Sequence, residues 1–273
     1  MTKKALCIGI NNFKNYPENA LNGCINDAND MKNLFIKYMG FSEKEITTLT
    51  DSKANKLNIM KNLKDMVDGA KNGKYDILAF SLSSHGTQIP DTSGDESDRA
   101  DEAFCPHDLV AKGNMWDPEH IITDDELHDL FSQLPEKVSL EVYLDTCHSG
   151  SGLKAMEPLT DRQPRYIPPP SAKAFKNIDM IPKVAQKLLN KEAEDQILWA
   201  ACKSDQTSAD ANIDGAFHGA FTYFFCKEVN ASKNNLSRDE ILKLVAADLK
   251  AGEYTQIPQL ECHATTREKS FGE

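Results

Sequence analysis

The sequence predicts an α/β fold with a mainly parallel central sheet. Short apolar runs closed by small or polar residues are typical of buried parallel strands, and amphipathic helical segments alternate with them here. Strands that alternate with helices in this way pair in parallel, so we expect helices on both faces of one sheet. The runs that predict strands are 5–10, 46–49, 75–82, 140–144 and 197–202.

Periodicity and capping signals predict the helices. Apolar stripes with a helical period indicate helices over about 24–38, 55–70, 217–229 and 237–250. The second of these is stopped by Asn72-Gly73, a typical helix end. Between the second and third, Thr123 is followed by Glu126, which forms a capping box and opens a further helix.

The 273 residues are expected to form one domain over 1–273 with two insertions. The first, about 87–121, is rich in acidic residues. The second, about 151–194, is basic and contains Pro168-Pro169-Pro170, which neither a helix nor a central strand accepts. We therefore expect the second insertion to be a surface loop.

Composition excludes several classes of protein. With 42 Asp and Glu against 31 Lys and Arg, the formal charge of −11 repels nucleic acid and anionic membranes. No apolar run approaches the roughly 18 residues of a membrane span, and the apolar stretch near the start is too short for a signal peptide, so we expect a cytoplasmic protein. Seven scattered cysteines without a C-x-x-C pair indicate neither a disulfide framework nor a zinc site.

Two predicted strands end in reactive side chains. One runs into His85-Gly86 and another into Cys147, and catalytic groups of open α/β sheets gather beyond the carboxyl ends of the strands. A thiol with a pKa near 8.5 is only slightly ionised at neutral pH, so a neighbouring imidazole would make it a useful nucleophile. A buried cysteine and a turn histidine without chemistry are the alternative.

These segments resemble the catalytic segments of the metacaspases and bacterial orthocaspases, which are caspase-like cysteine peptidases. The resemblance rests on S-S-H-G-T-Q at 83–88 and D-T-C-H-S-G at 145–150. It extends through nearly the whole chain in the same order. The further matches are G-I-N at 9–11, G-C-I-N-D at 23–27, D-E-x-D-x-x-D-E at 95–102, G-A-F-T at 219–222 and I-P-Q-L at 257–260.

The resemblance implies a caspase-hemoglobinase-like three-layer sandwich with about six strands in a mostly parallel sheet. It implies that Cys147 attacks the scissile carbonyl and that His85 protonates the leaving amine. The backbone N–H groups of Gly86 and Cys147 would form the oxyanion hole. No cofactor is required for this chemistry, and by the same resemblance we expect a monomer.

The resemblance also implies a substrate pocket with two carboxylates. Such a pocket favours Arg or Lys before the cleaved bond and rejects acidic residues, and Arg is preferred where the contact is bidentate. We therefore expect protein or peptide substrates with Arg or Lys at the cleavage site. Asp27 has an alternative role as a carboxylate in the first turn of a helix. The matched pocket positions are Cys24, Asp27, Ser83 and Asp145.

Many metacaspases bind an activating calcium ion in the equivalent acidic insertion. Carboxylates are hard oxygen ligands, and calcium is coordinated by about six to eight such oxygen atoms. A solvated acidic loop is the alternative, and Lys154 stands where family members can carry an acidic ligand. The candidate ligands are Asp95, Asp98, Asp101, Asp124 and Asp125.

A basic loop beside a pocket selective for Arg and Lys is a natural substrate of its own protein. We therefore expect self-cleavage in the second insertion, with an ordinary surface loop as the alternative. Two rival functions stay open: a catalytically silent interaction or signalling module, and a small-molecule hydrolase that uses the same two side chains. The candidate cleavage sites are Arg162, Arg165, Lys173 and Lys176.

Overall fold

The computed structural model describes residues 1–90, 100–147, 162–171 and 195–273. The strands in these ranges are β1 (Lys3–Gly9), β2 (Ile46–Thr50), β3 (Ile77–Ser83), β4 (Gly86–Pro90), β5 (Ala100–Phe104), β6 (Ala111–Lys112), β7 (Met115–Trp116), β8 (Ile122–Thr123), β9 (Ser139–Asp145), β10 (Arg162–Pro164), β11 (Gln196–Ala200), β12 (Ala209–Ile213), β13 (Ala216–Gly219) and β14 (Gln259–Glu261). The α-helices are α1 (Cys24–Tyr38), α2 (Lys56–Lys71), α3 (Asp124–Phe131), α4 (Ala220–Ala231), α5 (Arg238–Ala251) and α6 (Ala264–Arg267).

A six-stranded sheet in the order β14-β11-β9-β3-β1-β2 forms the centre of the fold. Its strands pair in parallel from β11 to β2, and the edge strand β14 runs antiparallel to β11. The five apolar runs in the sequence correspond to β1, β2, β3, β9 and β11. The predicted α/β class with a mostly parallel sheet is therefore confirmed.

Each face of the sheet carries its own apolar core. Leu6 and Ile8 of β1 pack into the core on the α2 and α3 side, whereas Ala5 and Cys7 pack into the core on the side of α1, α4 and α5. Successive side chains of a strand point to opposite faces, so the apolar run of β1 serves both cores. This arrangement confirms the three-layer sandwich.

Polar side chains cap the N-terminal ends of α2 and α3. The Asn58 N–H donates to the side chain of Asn55 before α2, and Thr123 and Glu126 form the predicted capping box before α3. The helix predicted over about 217–229 begins later than expected, at Ala220, because residues Ala216–Gly219 pair with β12 as strand β13. No helix within the described ranges is long and apolar enough to cross a membrane.

The acid-rich insertion adds a small antiparallel sheet in the order β4-β5-β8 beside the central sheet. The backbone N–H of Cys105 donates to the carbonyl of His85 at 3.0 Å, which ties this insertion to the end of β3. The indole N–H of Trp116 donates to Thr87 Oγ1 at 2.9 Å within the buried interior. The insertion thereby holds His85 and the chain that follows it in place.

The basic insertion departs from its prediction. Pro168 and Pro170 are exposed outside helices and strands, as expected, but β10 pairs antiparallel with β12, and Arg165 to Ile167 are buried. The expectation of a surface loop is therefore wrong for residues 162–167. Pro164 is tolerated in β10 because this strand lies at the edge of the sheet β10-β12-β13.

Candidate active site

The carboxyl ends of β3 and β9 lie side by side, with Ser83 opposite Asp145 in the parallel register. The chain carries His85 just beyond the first strand and Cys147 just beyond the second. Both side chains are buried. The structure thus brings the predicted imidazole and thiol to one edge of the sheet.

The ring of His85 is oriented by a backbone carbonyl. Its Nε2 lies 2.8 Å from the carbonyl oxygen of Asn19, and because a carbonyl only accepts, Nε2 carries the hydrogen. Nδ1 is buried and has no hydrogen-bond partner among the described residues, so the neutral ring keeps its lone pair there. Burial lowers the pKa of His85 to about 4, and the carbonyls of Asn19 and Arg165 oppose this shift only in part. The imidazole is therefore neutral at physiological pH.

The thiol of Cys147 lies against the backbone of Ser208. Its Sγ is 3.2 Å from the Ser208 carbonyl oxygen, and the Ser208 N–H also points at the sulfur. Ser208 in turn donates its hydroxyl to Asp145 at 2.6 Å. The residue before β12 thus connects the thiol with the acidic end of β9.

A buried pocket beside these groups is filled by the guanidinium of Arg165. Its Nη2 lies 2.7 Å from Asp27 Oδ2 and 2.9 Å from Asp210 Oδ1. Its Nη1 lies 2.6 Å from Ser83 Oγ and 3.2 Å from Asp145 Oδ1. One cation is therefore surrounded by three carboxylates.

Other groups of the protein orient each carboxylate independently of the arginine. Such preorganisation lowers the cost of binding a cation. A Cβ at Gly219 would lie 2.2 Å from Asp145 Oδ2, so glycine is required where β13 meets the pocket. The donors are Gly219 N–H and Ser83 Oγ to Asp27, Ser208 Oγ with Thr222 N–H and Oγ1 to Asp145, and Asn22 N–H and Gly23 N–H to Asp210.

The structure brings the predicted pocket residues together around Arg165 and adds one that sequence reasoning missed. Cys24, the first residue of α1, is buried, and burial raises the pKa of its thiol well above the ordinary value, so this residue adds no charge to the pocket. The missed residue is Asp210 on β12, which is 1% exposed. An aspartate between two alanines in a short strand-like segment was the available signal.

Burial and charge oppose one another in this pocket. Burial raises the pKa of Asp27, but Arg165, His218 and Ser83 outweigh it, and the pKa lies below its ordinary value. Burial raises the pKa of Asp145, and the negative charge of Asp27 adds to this rise while Arg165 opposes it. Burial disfavours the charged guanidinium of Arg165, yet the surrounding acids hold its pKa well above the ordinary range. The arginine therefore remains a cation.

His218 adds a second positive group at the rim. Its Nδ1 lies 3.2 Å from Asp30 Oδ2 and 3.7 Å from Asp27 Oδ1, which are ion-pair contacts. The interactions with Asp27 and then Asp30 raise the pKa of His218 to about 9, against partial burial. The ring is therefore protonated at neutral pH.

The backbone around Arg165 is held on both sides of its peptide bond to Tyr166. The Arg165 N–H donates to the Ser208 carbonyl, and the Gly86 N–H donates to the Arg165 carbonyl, each at 3.0 Å. The Ile167 N–H donates to the Gly86 carbonyl, also at 3.0 Å. The segment therefore lies along the sheet edge as an extended peptide with its side chain in a pocket.

The candidate calcium ligands are described only in part. Asp95 and Asp98 lie outside the described residues, while Asp124 and Asp125 form the first turn of α3. Asp101 lies in β5, where it pairs with Ile89 of β4. Within the described ranges, no group of three His, Cys, Asp or Glu side chains is arranged to hold a metal ion.

A parallel sheet with a cysteine and a histidine at its carboxyl edge, beside an acidic pocket, defines an α/β protein of the caspase fold. A protein of Geobacter sulfurreducens has a TM-score of 0.71 at 24% identity, with coverage of 100% of this chain and 98% of that chain. Caspase-1 from Spodoptera frugiperda has a TM-score of 0.58 at 11% identity, with coverage of 95% and 88%.

Residues 2–270 match the caspase domain family, and metacaspases align with nearly the whole chain, so the chain belongs to the metacaspase-type cysteine peptidases. Metacaspase-1 of Pyricularia oryzae is 30% identical, with coverage of 95% of this chain and 71% of the relative. Metacaspase-1 of Cryptococcus neoformans is 31% identical, with coverage of 94% and 62%. Metacaspase-1A of Aspergillus oryzae is 32% identical, with coverage of 96% and 68%. The chain thus spans about two thirds of the length of these relatives.

Proposed function

We propose that the protein is a cysteine endopeptidase that cleaves proteins after Arg or Lys, with Cys147 as nucleophile and His85 as acid and base. One observation carries the proposal. Arg165 occupies the acidic pocket while its carbonyl accepts a hydrogen bond from Gly86 at the edge that carries both reactive groups. This is the geometry expected of a bound substrate.

The reaction uses only groups of this edge. The Cys147 thiol passes its proton to Nδ1 of His85, and the sulfur attacks the carbonyl carbon while the N–H groups of Gly86 and Cys147 stabilise the oxyanion. The C–N bond then breaks, the imidazolium gives its proton to the leaving amine, and a thioester remains. His85 takes a proton from water, the hydroxide attacks the thioester, and the thiol is restored as the acid product leaves.

The pocket explains the preference for a basic side chain. Two nitrogens of the guanidinium meet carboxylates from Asp27, Asp145 and Asp210, a planar match that a lysine ammonium reproduces only in part. An acidic side chain would meet three like charges with little solvent between them. We therefore propose Arg as the preferred residue and Lys as the weaker one.

We propose that the protein first cleaves itself between Arg165 and Tyr166. Arg165 lies in the pocket, whereas the side chain of Arg162 binds elsewhere, against residues that follow α5. The candidates Lys173 and Lys176 lie outside the described residues. Until the bond is cut, the segment excludes other substrates, so the uncut chain is a self-inhibited form.

We keep calcium in this proposal as an activating ion held by the acid-rich insertion. Carboxylates suit calcium, and Asp124 and Asp125 lie in the first turn of α3. The proposed ligands are Asp95, Asp98, Asp101, Asp124 and Asp125. No step of the reaction above involves the ion. Substitution of Asp101 by Asn should remove a calcium-dependent rise in melting temperature, which is measurable without any turnover.

Two measurements test the proposed function. Intact mass after incubation should report fragments 1–165 and 166–273 from the wild type, none from Cys147→Ala, and the same fragments from the matched variant Arg162→Ala. Fluorogenic peptides ending in Arg, Lys, Asp or Ala are then compared with and without millimolar calcium. The peptide ending in Arg should be cleaved fastest and the peptide ending in Lys more slowly, whereas those ending in Asp or Ala should not be cleaved. Cleavage that persists in Cys147→Ala would overturn the proposal. The absence of any cleavage, of the chain itself or of any peptide, would also overturn it and would favour an interaction module.

A further inference from the structure

A second arginine, Arg162 in β10, occupies a separate site. Arg162 lies three residues before Arg165 and pairs with Ala211 of β12. Side chains alternate along an extended strand, so Arg162 and Gln163 point to opposite faces. The amide of Gln163 donates to the Ala20 carbonyl at 2.7 Å, whereas Arg162 reaches the chain that follows α5.

Three consecutive residues after α5 receive the guanidinium of Arg162. Its Nη2 donates to the Gly252 carbonyl at 2.9 Å, and its Nη1 lies 3.3 Å from the Glu253 carbonyl. Its Cζ lies 4.1 Å from the centroid of the Tyr254 ring. The planar cation thus has an aromatic face on one side and two acceptors at its edge.

The end of α5 builds these acceptors. Glu253 has a φ of 59°, and the Tyr254 N–H donates to the Leu249 carbonyl at 2.9 Å, which closes the helix with a left-handed turn. The last carbonyls of a helix have no partner within it, and they carry the negative end of the helix dipole. A cation is therefore favoured at this position.

The aromatic face is fixed in place by packing. The Tyr254 ring meets Phe224 of α4 edge-on, with centroids 6.0 Å apart and an interplanar angle of 71°. A Cβ at Gly252 would approach the Tyr254 ring to 2.8 Å, so glycine is required for the ring to lie where it does. The site is therefore a preformed surface rather than a chance contact.

We infer that Gly252, Glu253 and Tyr254 form a subsite, here the Tyr254 subsite, that binds the guanidinium of an arginine at the fourth residue before the cleaved bond. The inference rests on the proposed function and deepens it, because it extends the specificity of the same cleft. The preferred substrates are then peptides of the form Arg-x-x-Arg, as in the protein's own residues 162–165.

The chemistry of the subsite distinguishes Arg from its substitutes. A lysine ammonium has no planar face to stack on Tyr254 and is more strongly hydrated, so it binds less well. An alanine loses both the stacking and the hydrogen bonds. We expect peptides with Arg at this position to be cleaved about 5- to 20-fold better than those with Ala, with Lys between them.

The first test compares Arg-Gln-Pro-Arg, Lys-Gln-Pro-Arg and Ala-Gln-Pro-Arg fluorogenic peptides on wild type and variants. Tyr254→Leu keeps the packing on Phe224 but removes the aromatic face, and it should reduce the Arg-over-Ala ratio of kcat/KM to about 2 or less. Tyr254→Phe, which keeps the ring, should retain the ratio. Equal rates for the three peptides on wild type, or an unchanged ratio in Tyr254→Leu, would overturn the subsite.

The second test requires no turnover. In the Cys147→Ala background, loss of the subsite should release β10, so Tyr254→Leu and Arg162→Ala should each speed amide hydrogen exchange of Arg165 about 3- to 10-fold. The double variant should be no faster than either one, and fully additive effects would overturn the inference. If no peptide ending in Arg is ever cleaved, the proposed function fails while this exchange experiment still decides the subsite.

Discussion

The Nη2 atom of Arg165 lies 2.7 Å from Oδ2 of Asp27, and both side chains are fully buried. The two residues lie 138 positions apart in the sequence, so their ion pair connects the start of α1 with the residue that follows the edge strand β10. A buried carboxylate is costly when it has no cation beside it. The charge of the three carboxylates is therefore balanced in this structure by the guanidinium of Arg165.

Removal of Arg165 should destabilise the fold. In the Cys147→Ala background, which keeps the chain intact, Arg165→Ala leaves three buried carboxylates without their cation and should cost about 3–5 kcal/mol. Denaturant unfolding measures this cost. Arg162→Ala in the same background is the matched control and should cost less than about 1 kcal/mol, since its partners can turn to water. Equal midpoints for Arg165→Ala and its parent would contradict the expectation.

Asp210 should contribute to the selection of arginine. Asp210→Asn keeps the shape of the side chain but removes the charge that faces Arg165 Nη2, so kcat/KM for peptides ending in Arg should fall about 10- to 100-fold. Steady-state kinetics measures this fall. Asp214→Asn, in the turn between β12 and β13, is the matched control and should stay within about twofold. A similar fall in both variants would indicate a general effect on the hairpin.

His218 should stabilise the protein in a way that depends on pH. Its pKa rises from 6.5 to about 9 on folding, so the folded chain binds the proton more tightly than the unfolded chain. The stabilisation is complete below about pH 6.5 and is lost as the pH rises through about 9. His218→Gln should therefore lower the free energy of unfolding by about 2 kcal/mol at pH 6 and by much less at pH 10. A difference that stays constant between these pH values would contradict the ion pairs with Asp27 and Asp30.

Self-cleavage should tolerate acid better than cleavage of added peptides. In the uncut chain, with the segment around Arg165 along the sheet edge, His85 has a pKa of about 4. Its neutral, proton-accepting form therefore persists down to about that pH. After the cut, water reaches the ring and its pKa should return towards 6.5. The self-cleavage rate can be measured by intact mass after a reversible block is removed from the Cys147 thiol. The pH at which this rate falls on the acid side should lie at least one pH unit below the pH at which peptide hydrolysis falls. Coincident acid limbs would refute this.

The sheet and the reactive edge were predictable from local sequence. Buried parallel strands are continuous apolar runs, so β1, β3 and β9 were evident, and His85 and Cys147 followed directly from where two of them end. The predicted pocket positions came from a resemblance in short motifs. Each of these signals spans a few consecutive residues, which is why sequence reasoning could use them.

The rest depends on contacts between distant segments. Asp210 meets Arg165 across 45 positions, and Arg162 meets Gly252 across 90, and neither contact leaves a local pattern. The proline-rich composition around Pro164 favoured a loop because composition does not reveal an edge strand that pairs with β12. What the chain binds in its own cleft could therefore be found only from the fold.

The order of strands in the sheet has a consequence for refolding. A cut after Arg165 would assign β1, β2, β3 and β9 to one polypeptide and β11 and β14 to the other, although β9 and β11 are hydrogen-bonded neighbours. The two pieces would stay together as one particle under native conditions and separate only in denaturant. Refolding would then be a second-order reaction between two chains, so its half-time would depend on concentration, whereas the uncut chain refolds at a rate independent of concentration.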